Sequence, residues 1–271
     1  MGPEEEVDAP GDARASGGEQ RRLRLHLPER RPTLTYIILG LAVLVYALQV
    51  LTSLGLLQLP GWACPYFFSP DLPACYGLKV NQLILQGQWW RLLAPILLHG
   101  SILHIGFNMY ALHVLGPELE RHFGHRAFLA LFVTSGFAGF VVSFLLTDAP
   151  SLGASTAIFG LLAAQGVFVY RNRQIFGARA SIVLRSIVNI AVIHFLIGLS
   201  PGIDNWGHFG GLLAGAIFAW LAAPVYKLAG RAPDLRLEDQ SSPNRWIGAT
   251  LTVLLLFGAA VAGSIWGYQL R

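Results

Sequence analysis

Apolar and polar positions alternate along the chain on a long period: extended apolar runs separated by short polar connectors. Seven runs stand out, at about 35–58, 92–115, 127–147, 154–170, 181–199, 206–226 and 246–267. Each is close to the ~20 residues a helix needs to cross a hydrocarbon core. A bilayer offers the backbone no water, so runs of this kind are expected as helices, which pair their own N–H and C=O groups. The connectors hold turn formers and charges, such as Asp148-Ala149-Pro150 and Ser200-Pro201-Gly202. Residues 1–33 are rich in Glu, Asp, Gly, Pro and Arg without apolar periodicity and read as a disordered tail. The expected organisation is therefore a tail (1–33), a six-helix core (34–226) with a long loop at 59–91, a linker (227–245) and a seventh helix (246–271).

Composition agrees. Of 271 residues, 54% are hydrophobic and 13% charged, about half the charge that a soluble globular protein carries. A soluble enzyme and a nucleic-acid binder are excluded, because the net charge of +4 comes from basic residues that flank the apolar runs. Counting Lys and Arg on alternate sides gives sixteen on the side of the amino terminus and three on the other. That asymmetry predicts a cytoplasmic amino terminus and an extracytoplasmic carboxyl terminus for a multi-pass protein whose expected location is the plasma membrane. The loop at 59–91, with Trp62, Tyr66, Trp89 and Trp90, then lies at the outer aromatic interface. It also holds Cys64 and Cys75, which in an oxidising compartment can form a disulfide or stay as two small apolar residues.

A polar side chain at membrane depth is costly unless it finds partners, so the polar residues inside the runs are informative. The second run holds His99, His104, Asn108 and His113; the fourth opens on Ser155 and Thr156; the sixth opens on His208. Ser135, Ser143, Asn189 and His194 lie in the third and fifth runs without a matching constellation. Runs two, four and six all descend from the outer side, and a short fourth span would begin below the surface, near the level of His104.

At a helix start, Ser155 is either a plain N-cap or a nucleophile whose backbone N–H and helix dipole favour an oxyanion. Gly207, Gly211 and Gly215 recur every fourth residue, a stripe that lets two membrane helices approach backbone to backbone. The fourth run matches it with Ala154, Ala157, Gly160 and Ala164. Packing these two together brings His208 within reach of the Ser155 hydroxyl, and an imidazole is the base such a nucleophile needs at neutral pH. His104 and Asn108, one turn apart, present two donors from one face to a single oxygen. Metal and aspartyl chemistry are disfavoured. The two histidines are five apart without an intervening Glu, and all fifteen acids fall in the tail, loops or linker.

These residues resemble the rhomboid intramembrane serine proteases. The likeness rests on Trp90-Arg91, on His99, His104 and Asn108, on Gly153-x-Ser155, on His208 before the glycine stripe, and on Gly116, Glu120 and Gly124. It implies an all-α polytopic fold, a six-helix rhomboid core plus one carboxy-terminal transmembrane helix. It further implies a serine endopeptidase that needs no cofactor and cuts transmembrane protein substrates near the membrane boundary. Ser155 would be the nucleophile and His208 the base, with His104, Asn108 and the Ser155 amide holding the oxyanion and His99 and Gly153 in support. The alternative within the family is a non-catalytic member that binds transmembrane clients. One position departs from the family pattern: Thr156 stands where glycine commonly follows the nucleophile, which puts the accommodated substrate residue in question.

Overall fold

The computed structural model describes residues 24–26, 31–58, 64–66, 70–231 and 234–270. Most of the expected disordered tail, and Trp62, lie outside the described residues. Among those described are ten α-helices: α1 (Thr33–Ser53), α2 (Leu72–Gly77), α3 (Asn81–Leu85), α4 (Ile102–Phe123), α5 (His125–Leu146), α6 (Ser155–Arg171), α7 (Arg173–Phe176), α8 (Ala178–Ile197), α9 (Asn205–Ala222) and α10 (Arg245–Gln269). The seven long ones correspond to the seven apolar runs. By length and composition, α1, α5, α8 and α10 suffice to cross a membrane. The other three, α4, α6 and α9, carry His104, Ser155 and His208.

Helices α5, α6 and α9 form the centre. Phe128, Phe132, Phe140, Leu161 and Phe218 are enclosed there, while α1, α8 and α10 expose leucine and isoleucine outward. An apolar exterior of this extent suits lipid and not water.

The second run needs correction. Its helix begins at Ile102, ten residues later than the apolar pattern suggests, because Pro95 and Gly100 interrupt it. Residues Trp89–Leu92 and Ala94–Leu97 form two 3₁₀ turns, and Ser101 then caps α4 by accepting the His104 N–H. His99 consequently sits in a loop and not on the helix. The helix also runs further, to Phe123, so Glu118 and Glu120 lie within it, contrary to the expectation that every acid stays outside the spans.

Glu120 has a clear use. The start of α1 has no side-chain cap of its own. The buried Glu120 carboxylate accepts from Leu34 N (2.8 Å), Thr35 N (2.7 Å) and Thr35 Oγ1 (2.7 Å), and pairs with His125. A carboxylate on these orphan N–H groups also faces the positive end of the α1 dipole. This bond sets the start of α1 beside the end of α4.

The loop at 59–91 is ordered by buried cations where it is described. Lys79 Nζ donates to the carbonyls of Ser143 (3.3 Å), Thr147 (2.7 Å) and Ala149 (3.1 Å) at the end of α5. Burial pushes this ammonium down to about 8, against the opposing pull of Asp204 and Asp148. Arg91 donates to Gln88 Oε1 and to the carbonyls of Leu78 and Cys75, and Trp90 to that of Tyr76. Cys64 and Cys75 are joined by a disulfide.

The segment expected as a bare linker carries a hairpin. Strands β2 (Tyr226–Arg231) and β3 (Asp234–Asp239) pair antiparallel, and β1 (Arg24–His26) adds to β3 in parallel, giving the order β1-β3-β2. Just before this sheet, the end of α9 is heavily capped. Arg171 donates to the Trp220 carbonyl (2.6 Å), Arg245 to that of Ala222, and Asn172 to that of Pro224 (2.8 Å).

Replacing Glu120 with alanine leaves the buried Thr35 N–H and the half-buried Leu34 N–H of α1 without acceptors. This is expected to cost about 3 kcal/mol, read as a lowered thermal midpoint of the purified protein in detergent. An unchanged midpoint would show that α1 is held by its apolar contacts alone.

Candidate active site

The site lies where α4, α6 and α9 begin. Ser155 is the first residue of α6, so its backbone N–H is among the helix's unpaired first-turn donors. Its Oγ lies 2.9 Å from Nε2 of His208, which is the fourth residue of α9 and 8% exposed. The imidazole stacks on Phe159, one turn further along α6, with ring centroids 4.4 Å apart and planes inclined by 14°. Phe159 in turn meets His194 and Phe195 of α8 edge-on. The apolar pattern gave Phe159 no distinction from other core phenylalanines; only its position one turn from Ser155 pointed to it.

Close approach of α6 and α9 produces this pairing. A Cβ on Gly211 would collide with the Thr156 carbonyl and one on Gly215 with the Gly160 backbone, while one on Gly160 would strike Ser135 of α5. Backbone cannot yield as a flexible side chain can, so glycine is required at these contacts.

His104 stands on the opposite wall. Its Nδ1 accepts the Gly100 N–H at 3.4 Å, so in the neutral imidazole the proton resides on Nε2. That nitrogen faces Gly153, where a Cβ would approach it to 2.7 Å and also lie 3.5 Å from Ser155 Oγ. Gly153 has φ +130°, a conformation that favours glycine, and its N–H donates to the Pro95 carbonyl at 2.9 Å. Both requirements, φ and space, exclude a side chain at 153. Asn108 is buried one turn along from His104, and one of its amide hydrogens goes to the His104 carbonyl at 3.1 Å, leaving the second for another acceptor.

His99 packs behind His104, ring edge to ring face, with centroids 5.2 Å apart. Its backbone N–H donates to Gln49 Oε1 (3.0 Å), whose amide donates to Asp71 Oδ2 (2.9 Å), and Asp71 caps α2. Gln49 therefore ties α1, the long loop and the wall behind His104 together. In the sequence it is a polar residue inside the first apolar run, and nothing local to it indicates what it meets.

Thr156 lies in the packing between helices. Its side chain is buried where a Cβ on Gly139 of α5 would strike it and one on Gly207 of α9 would crowd it at 3.0 Å. It is a spacer among three helices.

With this geometry in place, the comparisons with known proteins are specific. A model of the Rhomboid domain matches residues 86–225. The chain belongs to the rhomboid family. It is 37% identical over 190 residues to rhomboid protease GluP of Bacillus subtilis (strain 168), covering 68% of this chain and 34% of that protein. It is 38% identical over 165 residues to RHOMBOID-like protein 5 of Arabidopsis thaliana (58% and 53%), and 33% over 160 residues to RHOMBOID-like protein 9, chloroplastic, of the same plant (58% and 37%). The chain thus spans about a third to a half of the length of these relatives.

Since Thr156 fills a helix junction, Thr156→Gly is expected to cost about 1–2 kcal/mol of stability, read as a lowered thermal midpoint in detergent; an unchanged midpoint would show that the junction does not need this side chain.

Proposed function

We propose that this protein is an intramembrane serine endopeptidase that cleaves transmembrane protein substrates near the membrane boundary with a Ser155–His208 pair. The observation that carries the reading is the 2.9 Å contact of Ser155 Oγ with His208 Nε2 at the start of two helices. In the attack, His208 takes the hydroxyl proton as Oγ bonds to the scissile carbonyl carbon. The negative charge on the carbonyl oxygen is met by the Ser155 N–H, His104 Nε2–H and the free Asn108 amide hydrogen. The imidazolium then protonates the leaving amine, and water, deprotonated by the same nitrogen, releases the acyl group. Phe159 holds the ring plane throughout. Nothing in this sequence of steps calls for a metal or cofactor.

The excess of Lys and Arg beside the amino-terminal ends of α1, α5, α8 and α10 supports a cytoplasmic amino terminus and a site open to the other side. A reporter fused after Arg271 is expected to be extracytoplasmic; a cytoplasmic signal would overturn this orientation.

Ser155→Ala and His208→Ala should each abolish both cleavage of a model transmembrane substrate and labelling by a fluorophosphonate probe, with the fold intact. His104→Ala and Asn108→Ala should lower the cleavage rate by about 100- to 1,000-fold each. If the wild type fails to label and to cleave, while still retaining transmembrane clients in a pull-down, the non-catalytic reading replaces this one.

A further inference from the structure

Ser155 and His208 leave one atom of the base unexplained. With Nε2 accepting the serine proton, neutral His208 must carry its own hydrogen on Nδ1, and Nδ1 is buried without a partner among the described residues. Nδ1, bonded to Cγ, is the ring nitrogen nearer the main chain, and helical side chains lean towards the helix start. One turn before His208 in that direction is Asp204, the N-cap of α9.

The Asp204 carboxylate is half used. Its Oδ1 accepts the Gly207 N–H at 2.9 Å, whereas Oδ2 is buried and, among the described residues, unpartnered. Of the titratable groups whose charge acts on His208, namely Asp204, His194 of α8 and His104 of α4, only Asp204 is a carboxylate. Lys79 also feels Asp204, but its ammonium is already committed to three carbonyls.

Resting on the reading of Ser155 and His208 above, we infer that Asp204 is a positioning residue that holds the Nδ1–H tautomer of His208 and stabilises the imidazolium formed during attack. In the resting structure the two groups do not bond. The contact tightens as positive charge develops on the ring, when the free carboxylate oxygen becomes its nearest anionic acceptor, reached directly or through one water. The proton stays on the imidazole and is not passed to Asp204. Carboxylate and base thus come from one helix, four residues apart, and the same oxygen pair starts the helix and orients its imidazole.

The test separates these two duties in the full chain in detergent, against a model transmembrane substrate. Asp204→Asn keeps an oxygen for the Gly207 N–H but removes the charge and offers an N–H where an acceptor is needed. It is expected to lower kcat and the rate of fluorophosphonate labelling together, by about 100-fold or more, with KM and the thermal midpoint unchanged. Asp204→Ser, which caps without reaching the ring, should behave the same way. Wild-type kcat in the Asn variant would overturn the inference. So would a loss of activity that follows a lowered thermal midpoint, since that marks a cap and nothing more. Ser155→Ala serves as the reference: if it labels and cleaves like the wild type, the reading of the site itself fails and this inference with it, whereas an inert Ser155→Ala beside a fully active Asp204→Asn removes the inference alone.

Discussion

The contact between α6 and α9 is the constraint on which the remainder depends. Two helices bearing ordinary side chains sit 8–10 Å apart, with those side chains filling the space between them. Gly160 on one helix and Gly207, Gly211 and Gly215 on the other remove the intervening atoms. In a bilayer this closeness has no hydrophobic driving force behind it, because lipid is as apolar as leucine. It rests on van der Waals contact between surfaces that fit. Thr156, Ser135 and Gly139 continue the fit to α5, so the centre is a three-helix wedge of small residues with phenylalanines packed around it.

Around that wedge, polar groups act as fasteners wherever a backbone end would otherwise be left bare. Glu120 completes α1, Ser101 completes α4, Asp204 completes α9, and Lys79 collects the carbonyls at the end of α5. Where water cannot substitute for a missing partner, each such end must be met by the protein itself. This accounts for charged residues at 0% exposure in a chain with so few charges. Lys79, Arg91 and Glu120, all at 0% exposure, are bound to backbone groups away from Ser155 and His208.

How much of this could be read from the chain alone depended on the range of the signal. The seven runs and the i, i+4 glycine stripe are local patterns, and they located α6, α9, Ser155 and His208 well. The second run was misjudged because Leu92 to Leu98 is as apolar as a span, and only Pro95 and Gly100 betray that it is not one. Placing its end too early in turn left Glu118 and Glu120 outside the helix that holds them. Gln49, Phe159 and the inward side of Thr156 were not legible for a different reason. Their meaning comes from what lies across a helix interface, tens of residues away in sequence, and no periodicity encodes that. The strand pairing of residues 24–26 with 234–236 is the extreme case, joining segments some two hundred residues apart.

The arginines at the far end of α9 bear on the distance between Ser155 and His208. A helix packed through glycines is smooth, and a smooth helix can slide along its neighbour. A slide of one residue is only about 1.5 Å of rise, with some 100° of rotation needed to restore the contact. That would swing His208 out of line with Ser155. Arg171, Asn172 and Arg245 grip the carbonyls at one end of α9 while Asp204 grips the amides at the other. The helix is held like a beam pinned at both supports, and the alignment of the imidazole is maintained by bonds made three to four turns away from it.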